Sequence, residues 1–345
     1  MTTTQAVAQS EQGQIVCWLL DTRALWPGEK IENAAAEELK LLSLEERKTC
    51  IRKMFVADAK MSLGSALLKR LFVSRTCGLA WHDIQFARIG DPKHGKPCAV
   101  LPTGGFAPID FNVSHQAGLV ALVGWTGVQG DRALSDSKAG GNVQVGIDIV
   151  CVNERDDYRT IDQEGFNGWV DIYEEVFSEE ERWDMKYNVD EVTLLDGRTL
   201  TAEQLGRHDR CVRRDIELSL TLPSGQQQTF NSDILIDAKL RRFYTFFCYK
   251  EAYIKLAGEA LLAPGSKTRI SKLARCSTHG TWSEKVEDVE VLLHGKRVED
   301  VKMAIQAFEE NFMIATAIQG NVELEVPAFT KLNLEHDILA SARTR

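Results

Sequence analysis

The sequence predicts an α+β protein made of two similar α/β lobes packed face to face. Three observations lead there. At 345 residues the chain is long enough for two lobes sharing a core. Short runs of β-branched and apolar residues, read as buried strands, alternate with two long amphipathic helical patterns over residues 55–74 and 243–262. A weak internal echo links those patterns. Ser43-Leu44-Glu45-Glu46-Arg47 precedes a helix carrying Leu63-Gly64-Ser65-Ala66-Leu67-Leu68, and Ser178-Glu179-Glu180-Glu181-Arg182 precedes one carrying Ala257-Gly258-Glu259-Ala260-Leu261-Leu262. Small residues in a helix allow a neighbour to approach closely, and two such lobes would leave a ligand cleft between them. Chance resemblance of two amphipathic helices would produce the same echo.

Taken in order, residues 15–20 form a first buried strand ending at Asp21-Thr22-Arg23, and Pro27-Gly28 marks a turn. Residues 34–42 are helical in pattern, and Ser43-Leu44-Glu45-Glu46 is a capping box opening the next helix. The 55–74 helix carries Leu63, Leu67, Leu68, Leu71 and Phe72 on its apolar stripe. A strand at 82–88 leads into the basic loop Gly90-Asp91-Pro92-Lys93-His94-Gly95-Lys96-Pro97, and Phe111-Asn112-Val113-Ser114-His115 precedes a strand at 119–125. The polar, glycine-rich stretch 127–141 is the candidate boundary: a flexible terminus at 1–14, an N-terminal lobe over 15–135 and a C-terminal lobe over 142–326. In the second half, a strand at 145–150 is followed by a helix at 172–185 with the capping box Ser178-Glu179-Glu180-Glu181. Low apolar density over 187–237 reads as an inserted set of loops or a hairpin, with a strand at 216–222 and a Pro223-Ser224-Gly225 turn. Late strands fall at 289–293 and 312–318, and the tail 327–345 is expected on the surface or mobile.

Composition narrows the function classes. The net charge of −9 argues against a general nucleic-acid binder. Between Arg47 and Arg75, however, Arg47, Lys48, Arg52, Lys53, Lys60, Lys69, Arg70 and Arg75 form a basic run opposed by Asp58. Any one of these is an ordinary solvated helix residue; together they suit a compact anionic ligand. No apolar run approaches the ~18–20 residues that span a bilayer, and the polar N-terminus lacks the layout of a secretory signal, so a cytoplasmic protein is expected. Eight scattered cysteines without a C-x-x-C pair read as free thiols rather than disulfides or zinc ligands. The absence of G-x-S-x-G, G-x-G-x-x-G and H-E-x-x-H removes support for serine hydrolases, Rossmann dehydrogenases and zincins.

Two segments carry the candidate chemistry. Val145-Gly146-Ile147-Asp148-Ile149-Val150 places a carboxylate inside a buried strand, where it is costly without a partner. Tyr249-Lys250-Glu251-Ala252-Tyr253-Ile254-Lys255 puts Glu251 and Lys255 four apart on one helix side. Taken singly, the first is a satisfied core or edge acid and the second a helix-stabilising pair. Brought together they would hold a hard cation and a phosphate. Asn112, Ser114 and His115 supply donors of the kind phosphate oxygens need. In His94-Gly95-Lys96-Pro97 a glycine admits close backbone approach beside a cation.

In this order, Lys96-Pro97, Phe111-Asn112-Val113-Ser114-His115, Val145-Gly146-Ile147-Asp148-Ile149, Phe177-Ser178 with Glu181, and Lys250-Glu251-Ala252-Tyr253-Ile254-Lys255 resemble the Sfp-type 4′-phosphopantetheinyl transferases. The similarity spans roughly residues 15–318, and the large fungal members look most alike. The resemblance implies a pseudo-dimer of two α/β lobes, the 4′-phosphopantetheinyl transferase fold, with coenzyme A between them. It implies transfer of the phosphopantetheine arm to a serine of apo acyl or peptidyl carrier domains, releasing adenosine 3′,5′-bisphosphate. Asp148 and Glu251 would hold Mg²⁺, and Lys255 would neutralise the transferring phosphate. Ser114 and His115, with Asn112, would contact coenzyme A phosphates. Arg88, Lys93, His94, Gly95, Lys96 and Pro97 would line the adenine and its 3′-phosphate, with further cations from Lys48, Arg52 and Lys60. Glu251, directly or through a metal-bound water, is the candidate base. The implied partners are coenzyme A and carrier domains of fatty acid, polyketide or peptide synthases or of aminoadipate reductase; no nucleic acid or membrane is expected, and a monomer is.

Three positions depart from the family pattern. An acid common two residues after the aspartate is Val150 here, a tryptophan three residues before the lysine–glutamate pair is Phe247, and a cation near the start of the basic helix falls at Thr49. Two other classes compete: a non-catalytic coenzyme A or nucleotide-binding module, and a coenzyme A-dependent acyltransferase, which would need no metal carboxylates.

Overall fold

The computed structural model describes residues 13–90, 95–127, 143–194, 197–258, 266–270, 273–275, 278–320 and 324–344. The first half runs β1 (Ile15–Asp21), α1 (Ile31–Ala34), α2 (Ala36–Lys40), α3 (Leu44–Ile51), α4 (Val56–Cys77), β2 (Gln85–Ile89), β3 (Lys96–Val100), β4 (Asp110–Gln116) and β5 (Leu119–Trp125). The second runs β6 (Gln144–Cys151), α5 (Asp157–Asp171), α6 (Glu179–Tyr187), β7 (Glu191–Thr193), β8 (Thr199–Thr201), α7 (Ala202–Leu205), β9 (Glu217–Thr221), β10 (Gln227–Asn231) and α8 (Asp233–Ala257). It closes with β11 (Ser266–Ile270), β12 (Val289–Leu293), β13 (Lys296–Arg297), β14 (Val301–Phe308), β15 (Phe312–Gln319), β16 (Thr330–Lys331), a π-helical turn (Leu334–Leu339) and α9 (Ala340–Thr344).

Two sheets organise the molecule, one in the order β16-β1-β5-β4 and one in the order β14-β15-β6. Because strand side chains alternate between faces, β1 sends Trp18 and Leu20 under α4 and Cys17 and Leu19 the other way. The latter meet Leu119, Ala121 and Val123 of β5 and Val145, Ile147 and Ile149 of β6 in a core between the sheets. Helix α8 covers the far side of β6 and β15, so the order is helix, sheet, sheet, helix. This is a mixed helix-and-sheet protein with an apolar core between its sheets, bordered where β4 meets β6 by polar bonds from Ser114 to Asp148 and from the Val145 amide to Asp110.

The capping boxes form as read. Ser43 accepts from the Glu46 amide, Ser178 from the Glu181 amide, and both glutamates reach back to their cap residue. Each glutamate then grips a cation on the following long helix: Glu46 holds Arg70 of α4 at 2.5 Å, and Glu181 holds Lys250 of α8 at 2.9 Å. Both long helices end on a left-handed glycine, Gly78 and Gly258, each at φ 69°. The echo in sequence was therefore drawn between the wrong glycines: Gly64 lies inside α4, against Leu20 and Val120, whereas Gly258 terminates its helix.

Several expectations need correction. The 34–42 helix is two short pieces broken at Ala35, and a 3₁₀ turn at Trp81–Asp83 precedes a shorter strand β2. Residues 172–177 are turns, with α6 starting only at its cap, while α5 and β14 had no signal recognised. Helix α8 starts ten residues before the predicted 243, because the insertion supplies a partner for its first turns. That insertion holds hairpins β7–β8 and β9–β10 around its own small core of Val192, Leu200, Leu205, Leu220, Phe230 and Leu235. The tail is not a surface tail: β16 pairs in parallel with β1, and Leu332, Leu334, Ile338 and Leu339 are buried beside Trp18 and α4. Burying these four aliphatic side chains, at about 1.5–3 kcal/mol each, anchors the segment. The glycine-rich boundary stretch and the Lys93-His94 part of the basic loop lie outside the described residues.

Candidate active site

Strand β6 turns Ile147 and Ile149 into the inter-sheet core, so Asp148 between them faces α8. Gly146, two residues earlier on that face, sets how near the helix comes. A Cβ there would stand 2.2 Å from the Ala252 carbonyl oxygen and 2.5 Å from the Leu256 amide, so only glycine fits. Cys248 Sγ donates to the Asp148 carbonyl oxygen at 3.4 Å and fastens the same junction. One helical turn along, Glu251 and Lys255 come over the carboxylate.

Asp148 is 6% exposed, and its Oδ1 accepts from Lys255 Nζ at 2.5 Å and from Ser114 Oγ at 2.8 Å. Lys255 also donates to Ser114 Oγ at 3.0 Å. Lys255 therefore bonds across to the strand and does not form the helix pair with Glu251. Asp148 Oδ2 makes no hydrogen bond among the described residues. Glu251 is 9% exposed, and its Oε1 is buried without a partner among them. Burial first, then the Asp148 carboxylate, pushes its pKa up to about 7, against the pull of Lys255 and Arg155.

Two carboxylates that repel each other, one carrying an orphaned buried oxygen, make a donor set suited to a hard cation. No cluster of three or more His, Cys, Asp or Glu side chains able to hold a metal occurs among the described residues. A pair fits Mg²⁺ in particular, which usually takes one or two carboxylates and completes its shell with water and substrate phosphate. The place of a third acid is closed, since Val150 is buried in the cluster of Phe166, Trp169 and Ile236.

The residue before Glu251 faces the other way. Lys250 Nζ donates to the Val176 carbonyl at 2.8 Å and to Glu181 Oε2 at 2.9 Å, while Glu181 Oε1 accepts from the Thr268 amide at 2.8 Å. This buried pair fixes the rotation of α8 and hence the aim of Glu251. Phe247 stacks on Phe243 and meets Phe177 edge-on, which explains how the tryptophan position tolerates phenylalanine. Thr49 donates to the Glu45 carbonyl within α3 and offers no cation.

Among the other predicted site residues, His115 reaches solvent from a crowded recess. Partial desolvation, then Lys53 and Lys255, lowers its pKa below the usual histidine range. Asn112 is buried with Oδ1 unpaired among the described residues. Arg88 donates to the buried Gly95 carbonyl at 2.6 Å. With Pro97 it borders a cleft of about 420 Å³ also lined by Lys69, Phe86, Ala87 and Gly90. Lys96 is turned away into an ion pair with Asp110, whose Oδ2 also accepts from the Val145 amide at 2.7 Å. Lys48 pairs with Glu45 on the surface at 2.8 Å; Arg52 is exposed and Lys60 half-buried, and no contact brings these three to Asp148. Sequence reasoning did not single out Lys53, Lys69, Asp110 or Arg155. The first two sat in the basic run, where half-buried Lys69 and exposed Lys53 look alike in sequence.

Residues 27–127 match a family model described as "4'-phosphopantetheinyl transferase, N-terminal". The chain is 65% identical over 337 residues to a 4'-phosphopantetheinyl transferase of Aureobasidium melanogenum, covering 95% of this chain and 97% of that one. It is 34% identical over 346 residues to 4'-phosphopantetheinyl transferase A of Aspergillus fumigatus, covering 91% and 85%. It is 36% identical over 135 residues to an L-aminoadipate-semialdehyde dehydrogenase-phosphopantetheinyl transferase of Schizosaccharomyces pombe, covering 38% and 46%. No helix of the described residues is long and apolar enough to cross a membrane.

Proposed function

The chain belongs to the 4′-phosphopantetheinyl transferase family, and from that premise we propose that it transfers the phosphopantetheine arm of coenzyme A to a serine of apo carrier domains. What supports the site is the cluster in which Lys255 of α8 and Ser114 of β4 bond the Asp148 carboxylate of β6, with the Glu251 carboxylate near enough for the two acids to repel each other.

In this reading the carrier serine oxygen attacks the phosphorus that bears pantetheine. A P–O bond to serine forms, the phosphoanhydride bond breaks, and adenosine 3′,5′-bisphosphate leaves. Mg²⁺, held by Asp148 and Glu251, would supply charge screening for the pyrophosphate oxygens. Lys255 adds a fixed positive charge on the same side, and Ser114 and His115 offer donors to phosphate oxygens. Glu251, the carboxylate on the same side of the site as Lys255, is the candidate base that takes the serine proton. The apolar wall around Phe247 and Phe177 keeps the helix face fixed, so most of the rate comes from positioning and charge.

The two sheets, each with its capped short helix and long helix, are read as a pseudo-dimer: one lobe over 15–135, the other over 142–326 with the 187–237 insertion. Each lobe supplies one side of the site, so a monomer suffices. Carrier domains of fatty acid, polyketide or peptide synthases and of aminoadipate reductase are the candidate acceptors.

The test is to incubate the protein with coenzyme A, Mg²⁺ and an apo carrier domain and weigh the carrier. A gain of one phosphopantetheine is expected; no gain supports a binding module, and an acyl-sized gain supports an acyltransferase. Asp148→Ala and Glu251→Gln should each nearly abolish the gain while leaving the melting transition in place. Activity persisting in both variants would refute the site.

A further inference from the structure

A cleft of about 580 Å³ opens where the insertion meets the first turns of α8, between Tyr158 of α5, Thr193 of β7 and the turn joining β14 to β15. Arg241 in its lining precedes Glu251 by ten residues, a rise of about 15 Å along the helix. The cleft is therefore a place apart from the active site. Its size falls within the range of about 300–1,000 Å³ that small organic ligands occupy.

Three arginines line it, and they are not equally engaged. Arg241 donates to Asp237 Oδ2 at 2.7 Å and to Asn311 Oδ1 at 3.1 Å, while Tyr158 Oη donates to Asp237 Oδ1 at 3.0 Å. Arg214 lies over the Tyr158 ring, 4.2 Å from its centre, and reaches Asp162 at 3.3 Å and Asp233 at 3.6 Å. Arg275 is different. Half-buried, it makes one hydrogen bond among the described residues, to the Glu191 carbonyl at 3.4 Å, and none of their carboxylates stands within ion-pair distance of it. Burial pulls its guanidinium below the usual arginine range; Glu191 opposes this, Arg241 adds to it, and Asp237 and Asp190 oppose it from further off. Of its five N–H donors most are idle, a cost that an entering anion would remove.

The surrounding charge selects the anion. Asp237 is committed to Arg241 and Tyr158, Asp233 to Arg214 and the Asp215 amide, and Asp190 to Arg242 at 2.9 Å. Glu191 and Glu310 are exposed at the edge. With so many acids near, a doubly charged phosphate is repelled more than a singly charged carboxylate. The guanidinium fork takes a carboxylate with two parallel bonds. Ile234 and Ala238 supply aliphatic surface in the same cleft, and Thr193 a hydroxyl.

We propose that this cleft binds a small organic carboxylate with an apolar body, held at its charged end by Arg275, and that the ligand ties the insertion to α8. The probe is hexanoate, titrated at constant ionic strength into the full chain, with hydrogen exchange read by mass spectrometry. Phosphate is titrated in parallel. The proteins are the wild type, Arg275→Gln, Arg275→Lys, Thr193→Glu and Lys255→Met. Thr193 is exposed, so its variant brings a repelling charge to the cleft without disturbing a core, should Arg275→Gln fail to fold.

Hexanoate should slow exchange saturably over residues 189–194 and 212–241 of the wild type. Half-saturation should rise about ten- to a hundredfold in Arg275→Gln, the worth of a hydrogen bond to a charged group, and comparably in Thr193→Glu. Arg275→Lys should fall between, and Lys255→Met, altered in the active site, should match the wild type. Absence of saturable protection in these segments overturns the proposal. So does protection undiminished in Arg275→Gln and Thr193→Glu, or lost in Lys255→Met. Phosphate protecting as well as hexanoate overturns the assignment to a carboxylate. None of these readouts depends on transfer activity.

Discussion

Gly146→Ala tests whether the contact of β6 with α8 sets the active-site geometry. The new methyl would lie 2.2 Å from the Ala252 carbonyl oxygen, 2.5 Å from the Leu256 amide and 2.7 Å from Leu256 Cβ. Two of these atoms are helix backbone, which cannot rotate aside, and real Cβ contacts do not fall below 3.0 Å. Strand and helix must therefore part by close to an ångström, carrying Asp148 away from Glu251 and Lys255, which now stands 2.5 Å from it. Overpacking of this kind costs about 1–3 kcal/mol of stability. A displacement of about 1 Å at reacting groups costs on the order of a hundredfold in rate. The control is Gly124→Ala in β5, whose methyl would meet the Phe72 ring at 2.4 Å: a side chain, on the far side of the first sheet. Both variants should lose thermal stability, but only Gly146→Ala should lose kcat by more than tenfold in the carrier-mass assay. Equal kcat in the two, at matched folded fractions, would show that the junction does not govern the chemistry.

Two further outcomes follow from the ion pairs and the tail. Burial opposes ionisation of Glu46, but Arg70 and then Ser43 hold its carboxyl below the usual glutamate range. A depressed native pKa means the stabilisation is present above the unfolded value of ~4.3 and disappears as the pH falls through the native value. Glu46→Gln should therefore lower the urea unfolding free energy by about 1–3 kcal/mol at pH 7 and by progressively less below about pH 4; a pH-independent difference refutes the charge assignment. Ile338→Ala, which empties a fully buried tail position, should cost about 2–5 kcal/mol with kcat unchanged, and an unaltered melting temperature would mean the tail does not belong to the core.

Much of the site could be read in advance because its residues sit in short, distinctive strings: Asp148 in an apolar strand, Glu251 and Lys255 on one helix face, Ser114 ahead of His115. What escaped was which groups would meet. The bond from Lys255 to Asp148 joins residues 107 positions apart, and nothing local distinguishes it from a Glu251–Lys255 pair. Lys96 looked like a free cation because Asp110, its partner, gave no signal of its own. The early start of α8 was hidden because its first turns pack against the insertion, whose small core is too dispersed in sequence to show as periodicity. The tail misled for a related reason: Leu332, Leu334, Ile338 and Leu339 were visible as apolar, but their groove is made by the opposite end of the chain.

That groove bears on how the protein is born. β1 leaves the ribosome well before the strand that flanks it, β16, which pairs Trp18 with Thr330 and Leu19 with Lys331. At ~5–20 residues per second the intervening chain takes roughly 15–60 s to synthesise, and for all that time the outer edge of β1 is open to pairing with other chains. Nascent copies crowded on one message are thus exposed to edge-to-edge capture until β16 has been made, and slowing elongation should lower soluble yield more than warming the finished protein does.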